Sequence, residues 1–170
     1  KYNPGYSVIL MDYYQKDLTY KNGCEELFNW IKPDFVFHLA GIKGNPKMTE
    51  ERPVDFMGPM LQFDTNMILV AQKYGVKRFL YTSSIAVENP ESDLYPAWAK
   101  MTAEKLIEAM RIQYPVKYAM GGWLDASGKL NATKKELKER EDWVGTKWVI
   151  VRPANCYGKY DNFNNPNSMV

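Results

Sequence analysis

Histidine and cysteine are nearly missing from these 170 residues: one histidine, His38, and two cysteines, Cys24 and Cys156. The cysteines stand far apart and fit no zinc spacing, which excludes a disulfide scaffold or a ribbon-type metal site and sets the metal expectation at none. Reduced thiols in a cytoplasmic protein are expected. No apolar run approaches the roughly 20 residues that a membrane helix needs, and no signal-peptide pattern opens the sequence. Charge of one sign is also missing. Lys and Arg total 22 against 20 Asp and Glu, a net charge of +2, so neither a nucleic-acid nor a membrane partner is expected. The one basic run, Lys134 to Arg140, is interleaved with Glu136, Glu139 and Glu141 and reads as a solvated helix face. The Asn131-Ala132-Thr133 sequon has no secretory context and reads as chance. Finally, no glycine-rich loop follows the first strand-like run. The only G-x-x-G, Gly41 to Gly44, follows a later strand and opens no predicted helix.

What is present is an ordinary globular composition, 45% hydrophobic and 25% charged, in which strand and helix patterns alternate. Ser7 to Asp12 reads as a strand ending in an acid. Tyr20 to Ile31 reads as a helix with Cys24, Leu27, Phe28 and Ile31 on one stripe, stopped by Pro33. Asp34 to Ala40 reads as a strand buried on both faces. A loop is expected from Gly41 to about Gly58, then a helix with Pro59 in its first turn, the stripe Met60, Phe63, Met67, Val70, Ala71 and Tyr74, and Gly75 as its C-terminal cap. Val76 to Ser83 is a further strand, Pro96 to Tyr114 a further helix, and Lys147 to Arg152 the last strand. This rhythm predicts an α/β fold, a doubly wound parallel sheet. Residues 115–146 interrupt it and read as an insertion, either a lid or oligomer contact or a decoration without chemistry. A sheet of this kind is built outward from a central strand followed by a glycine-rich turn. Neither is evident, so residues 1–170 read as a partial domain of a longer chain, with most of any C-terminal lobe lying outside it.

Three predicted strand ends carry the chemistry: His38–Gly41, Thr82–Ser84 and Arg152–Tyr157. Carboxyl ends of parallel strands line the ligand crevice. Lys100 lies on the edge of the apolar stripe of its helix (Ala103, Leu106, Ile107, Met110, Tyr114), where a lysine either snorkels or meets a ligand.

The ordered phrases KDLT (Lys16 to Thr19), PDFVFHLAGIKGNP, FDTNM (Phe63 to Met67), KRFLYTSSIAV, WAKMTAEKL and IVRPANCYGKYDNF resemble the NAD-dependent epimerase/dehydratase family of extended short-chain dehydrogenases/reductases. They are most similar to members acting on GDP-linked hexoses and heptoses. The resemblance implies a Rossmann-type fold and an oxidoreductase, epimerase or dehydratase working by hydride transfer at C4 of a nucleotide-linked sugar. It implies NAD(H), with NADP(H) left open, a nucleotide-sugar substrate and a homodimer. By position, Asp17 and Leu18 match the pair against the adenine. Leu39, Ala40 and Gly41 match the turn beneath the cofactor, and Lys43 a basic position near the phosphates. Asn66 matches the helix asparagine on the cofactor side, and Thr82 and Ser84 the strand-end hydroxyls, with Ser84 catalytic and facing the substrate. Lys100 matches the lysine that holds the nicotinamide ribose and lowers a tyrosine pKa. Pro153 and Asn155 match the loop flanking nicotinamide and sugar diphosphate, with Pro153 on the cofactor and Asn155 on the substrate.

The pattern is broken at one place. The family's tyrosine belongs four residues before the lysine, where this chain has Pro96. Tyr95 stands one residue early, outside a helix that begins at Pro96, and is either the displaced acid/base or leaves the proton to water, the substrate itself or another residue. A catalytically silent, cofactor-binding paralogue and a reductase of a non-sugar carbonyl are the rival readings. His38 is expected to be a satisfied core imidazole, and Cys156 to pack rather than to act as nucleophile. Asp12 is either a turn residue or an acceptor of the adenosine ribose hydroxyls favouring NAD.

Overall fold

The computed structural model describes residues 5, 7–12, 15–42, 44–90, 94–115, 123–124, 130–131, 145–154 and 156. Its main elements are α1 (Lys21–Ile31), β1 (Phe35–His38), α2 (Pro46–Glu51), α3 (Pro53–Lys73), β2 (Arg78–Thr82), a 3-10 turn (Ile85–Glu88), α4 (Leu94–Gln113), β3 (Trp123–Leu124), β4 (Leu130–Asn131) and β5 (Lys147–Val151). Strands β1, β2 and β5 form a parallel sheet in that order, with His38 opposite Tyr81 and Thr82 opposite Val151. The fold is therefore the expected α/β parallel sheet flanked by helices. β3 and β4 form a separate antiparallel pair; most of the rest of the predicted insertion, including the charged run Lys134 to Arg140, lies outside the described residues.

One core holds the layers together. Cys24, Leu27 and Phe28 of α1 meet Met67, Ile68, Val70 and Ala71 of α3, Phe79 and Tyr81 of β2, Ala103, Ile107 and Met110 of α4, and Trp148 of β5. The three helical stripes thus bury the faces expected of them. A smaller cluster, Met60, Phe63 and Ala99, joins α3 to α4 and takes in Leu18 and Ala40 at its rim.

Several local expectations are corrected. Ser7 to Asp12 forms no strand. A strand exists only by pairing, and no ladder partner lies beside it among the described residues; Leu10 is 84% exposed. β1 is shorter than expected and is not buried on both faces, since Phe37 is 70% exposed at the sheet's edge. The stretch from Gly41 to Gly58 is no simple loop. Asn45 caps α2 by accepting from Met48 N, and both α2 and α3 begin on a proline. The G-x-x-G thus runs into a helix after all, and Pro59 falls inside α3 rather than at its start.

Candidate active site at the strand ends

β2 runs from Arg78 to Thr82, shorter than the expected Val76 to Ser83, and ends two residues before Ser84. Beyond it the chain is tied to the end of β5 by Ser83 N donating to Val151 O at 2.8 Å and Ile85 N donating to Pro153 O at 3.1 Å. These bonds bring Ser84 and Pro153 together. Ser84 caps the 3-10 turn, its Oγ accepting from Ala86 N at 3.2 Å, which leaves the hydroxyl proton free to donate.

Lys100 comes to the same place from α4. Its side chain is buried, and Nζ donates to Thr82 O at 2.9 Å and lies 4.8 Å from the centre of the Tyr81 ring. Burial pushes the ammonium's pKa below its ordinary value, opposed by the charge of Asp64. Among the described residues only one of its three N–H donors is committed.

Behind Lys100 lies a polar cluster that sequence reasoning missed. Asp64 of α3, 1% exposed, accepts from Tyr81 Oη at 2.6 Å and from His38 Nε2 at 2.7 Å. Its Oδ2 stands 3.9 Å from Lys100 Nζ. Two hydrogen-bond donors and a nearby ammonium around one carboxylate explain how a buried acid is tolerated. Burial, and then the Asp64 charge, drive the Tyr81 phenol far above its ordinary pKa, so Tyr81 is a hydrogen-bond donor and not a base. His38 is the satisfied core imidazole expected of it. The signal in the sequence was an acid four residues after Met60 and three before Met67, on the buried face of the helix.

The remaining candidates divide. Leu39 and Gly41 are exposed just past β1, and Ala40 packs on the Met60 cluster. Asn66 donates both amide hydrogens to backbone, Leu18 O at 3.1 Å and Thr19 O at 2.9 Å, so it pins the Leu18 turn to α3. Asp17 accepts from Thr19 N and Thr19 Oγ1. Asp12 exchanges hydrogen bonds with Gln15 in a tight turn, the turn-residue reading of that acid. Tyr95 is helical, not outside the helix, because α4 starts at Leu94 and proline is tolerated anywhere in a first turn that lacks N–H partners. Five residues of helix turn it about 140° away from Lys100, and its side chain is exposed. Cys156 is exposed, its Sγ 3.4 Å from Ala154 O; burial pushes the Cys24 thiol up to about 11, an inert packing residue. Lys43 and Asn155 lie outside the described residues.

A parallel sheet with helices on its faces and a buried lysine at the carboxyl ends of its strands defines a Rossmann-type α/β protein. Its family follows from the sequence as a whole: residues 3–170 match the model of the NAD dependent epimerase/dehydratase family, and the chain belongs to that family. It is similar to GDP-L-fucose synthase 1 of Arabidopsis thaliana, 29% identical over 96% of this chain and 47% of that protein. It is similar also to GDP-L-colitose synthase of Yersinia pseudotuberculosis, 28% identical over 96% of this chain and 49% of that protein. The chain spans about half the length of the curated relatives it matches. Among solved structures it shares its fold with a GDP-D-glycero-L-gluco-heptose synthase of Campylobacter jejuni crystallised with NADPH, at 20% identity and a TM-score of 0.69 over 95% of this chain and 44% of that one. A GDP-L-fucose synthetase of Naegleria fowleri bound to NADP superposes with a TM-score of 0.66 at 19% identity, over 95% of this chain and 49% of that one.

The dinucleotide that the family's description implies fits the strand ends. A Cβ at Gly41 would meet nothing within 4 Å, so the backbone past β1 lies open. The Thr82 hydroxyl is buried with no partner among the described residues, and Lys100 has N–H donors to spare. No helix among the described residues is long and apolar enough to cross a membrane.

Proposed function

We propose that this chain is the dinucleotide-binding part of an oxidoreductase or epimerase that works by hydride transfer at C4 of a nucleotide-linked sugar, a GDP-linked sugar fitting the relatives best. The observation that carries this reading is Lys100, buried and held on Thr82 O at the strand end that also presents Ser84 and Pro153. Leu39, Ala40 and Gly41 would floor the dinucleotide, with Leu18, Asn66, Thr82 and Pro153 around it. Lys43 and Asn155 extend the proposal toward the phosphates and the sugar. When bound, the dinucleotide supplies the hydride acceptor or donor. Ser84 would donate its free hydroxyl proton to the reacting sugar oxygen. The Lys100 charge would stabilise negative charge developing on a neighbouring oxygen and bind a ribose hydroxyl. Asp12 accepts from Gln15 N through one carboxylate oxygen in its own turn, which is no argument for NAD over NADP, and both nucleotides belong in the assay.

The test is turnover of a GDP-linked 4-keto sugar with NADPH and with NADH by the full-length protein. Ser84→Ala and Lys100→Met are each expected to lower kcat/KM by about 10²-fold or more. Unchanged turnover in both variants overturns the reading.

Pro96 and the outward turn of Tyr95 favour a second reading, a paralogue that binds the dinucleotide without catalysis. It predicts nucleotide binding by calorimetry with no turnover of any sugar tried. Tyr95→Phe separates the two proton routes. The turn of Tyr95 away from Lys100 supports a proton route without it, and the variant is expected to retain most wild-type turnover. A loss of about 10²-fold would return Tyr95 to that role.

A further inference from the structure

We infer that Asp64 is a positioning residue that fixes both the place and the charge of Lys100. The inference rests on the reading of Lys100 as part of the site, but its geometry stands independently. The carboxylate is 1% exposed and sits at the meeting of α3, β1, β2 and α4. Its Oδ1 is taken by His38, and its Oδ2 is shared between the Tyr81 hydroxyl at 2.6 Å and the Lys100 ammonium at 3.9 Å. Among the described residues the groups facing this pair are His38 from β1, Tyr81 from β2, and Glu104 one turn along α4. Glu104 is engaged by Arg152 of the β5 end, which leaves Asp64 as the counter-ion of Lys100.

Tyr81 sets the strength of that counter-ion. Its hydroxyl binds the carboxylate oxygen that faces Lys100, while its ring lies under the ammonium. A hydrogen bond donated to Oδ2 holds it at a fixed distance and disperses its charge. Two opposite consequences follow. Removing the carboxylate charge leaves a desolvated ammonium without its partner, and Lys100 gives up its proton more readily. Removing only the Tyr81 hydroxyl frees Oδ2 for the ammonium, and Lys100 holds its proton more tightly.

The test is the titration of Lys100 by NMR in the full-length protein carrying 13C,15N-labelled lysine, its signal identified by loss in Lys100→Arg. Asp64→Asn is expected to lower the midpoint by at least about one pH unit. An asparagine amide can still donate to His38 Nε2 and accept from Tyr81, so the fold has a path to survive. Tyr81→Phe keeps the ring and is expected to raise the midpoint. Opposite shifts from two neighbours are not produced by general loosening of the core. An unmoved midpoint in Asp64→Asn, or shifts of the same sign in both, overturns the inference. If Asp64→Asn fails to fold, the sign in Tyr81→Phe alone decides. Turnover is read on the same samples. Lysine shifts as stated with turnover indifferent to Lys100→Met would sink the hydride-transfer reading and leave the positioning intact. Lost turnover in Lys100→Met with no lysine shifts would do the reverse.

Discussion

Glu104 sits 3% exposed on α4, and two guanidinium nitrogens of Arg152 reach it, Nε at 2.9 Å and Nη2 at 2.5 Å. Burial alone would raise its pKa, but the Arg152 hydrogen bonds and charge overcome this and hold the carboxyl below its ordinary value of 4.5. A depressed acid stabilises the fold above its unfolded pKa, and that contribution is lost as pH falls through the folded value. Arg152→Leu strands the buried carboxylate and is expected to lower stability at pH 7, moderated because Arg152 is half-exposed. Glu104→Gln in that background should recover part of the loss. Thermal melts at pH 7 and pH 4 check the sign: the gap between wild type and Arg152→Leu should shrink at the lower pH, and a constant gap would rule out the ion pair as its source. Residues of this kind were unevenly legible in the sequence. Lys100 was found because a lysine on the edge of an apolar stripe has few structural reasons to be there. Asp64 was not, because its partners His38, Tyr81 and Lys100 come from three other elements and only the folded sheet brings them together. Tyr95 is misplaced because proline fits the first helical residue, whereas a first turn accepts it equally well further in.

At the scale of elements, hydrophobic periodicity found three long helices and three strands of the sheet, since each buries one stripe or one run against a single core. It failed between Gly41 and Gly58, where Pro46 and Pro53 masked the starts of two helices, the second of which also carries Pro59 inside it. The chain's two described positive-φ glycines separate conformational from steric demands. Gly75 follows α3 with φ +67° and has nothing within 4 Å of a built Cβ. Gly145 leads into β5 with φ +102°, and a Cβ there would lie 2.4 Å from the Tyr114 carbonyl oxygen. Gly75→Ala therefore bears only the left-handed backbone cost, about 1 kcal/mol. Gly145→Ala must also shift the backbone that closes α4 against the sheet and should cost distinctly more. Chemical denaturation of the two variants checks the order, and equal losses would mean that the Tyr114 contact relaxes freely.

At the scale of the whole molecule, the described sheet is three strands wide, with β2 in the middle and β1 at one edge. Phe37 is 70% exposed there, Leu39 lies exposed just beyond, and Val8 and Leu10 lie exposed in the unpaired segment before α1. An edge strand beside exposed apolar side chains is a template for association with another chain. This edge is legible in the amino-acid pattern only indirectly, through a strand-like run at Ser7 to Asp12 beside which no central strand is evident. The 170-residue chain, expressed by itself, is expected to self-associate as concentration rises. Phe37→Lys places a charge on the exposed edge and should reduce that association. It should change unfolding free energy by no more than about 0.5 kcal/mol, because an exposed side chain contributes little to the core. Sedimentation velocity across a concentration series, paired with denaturant melts, measures both quantities. Association that is unaffected by Phe37→Lys would move the sticky surface away from β1, and a large loss of stability would show that Phe37 packs in solution where the structure leaves it open.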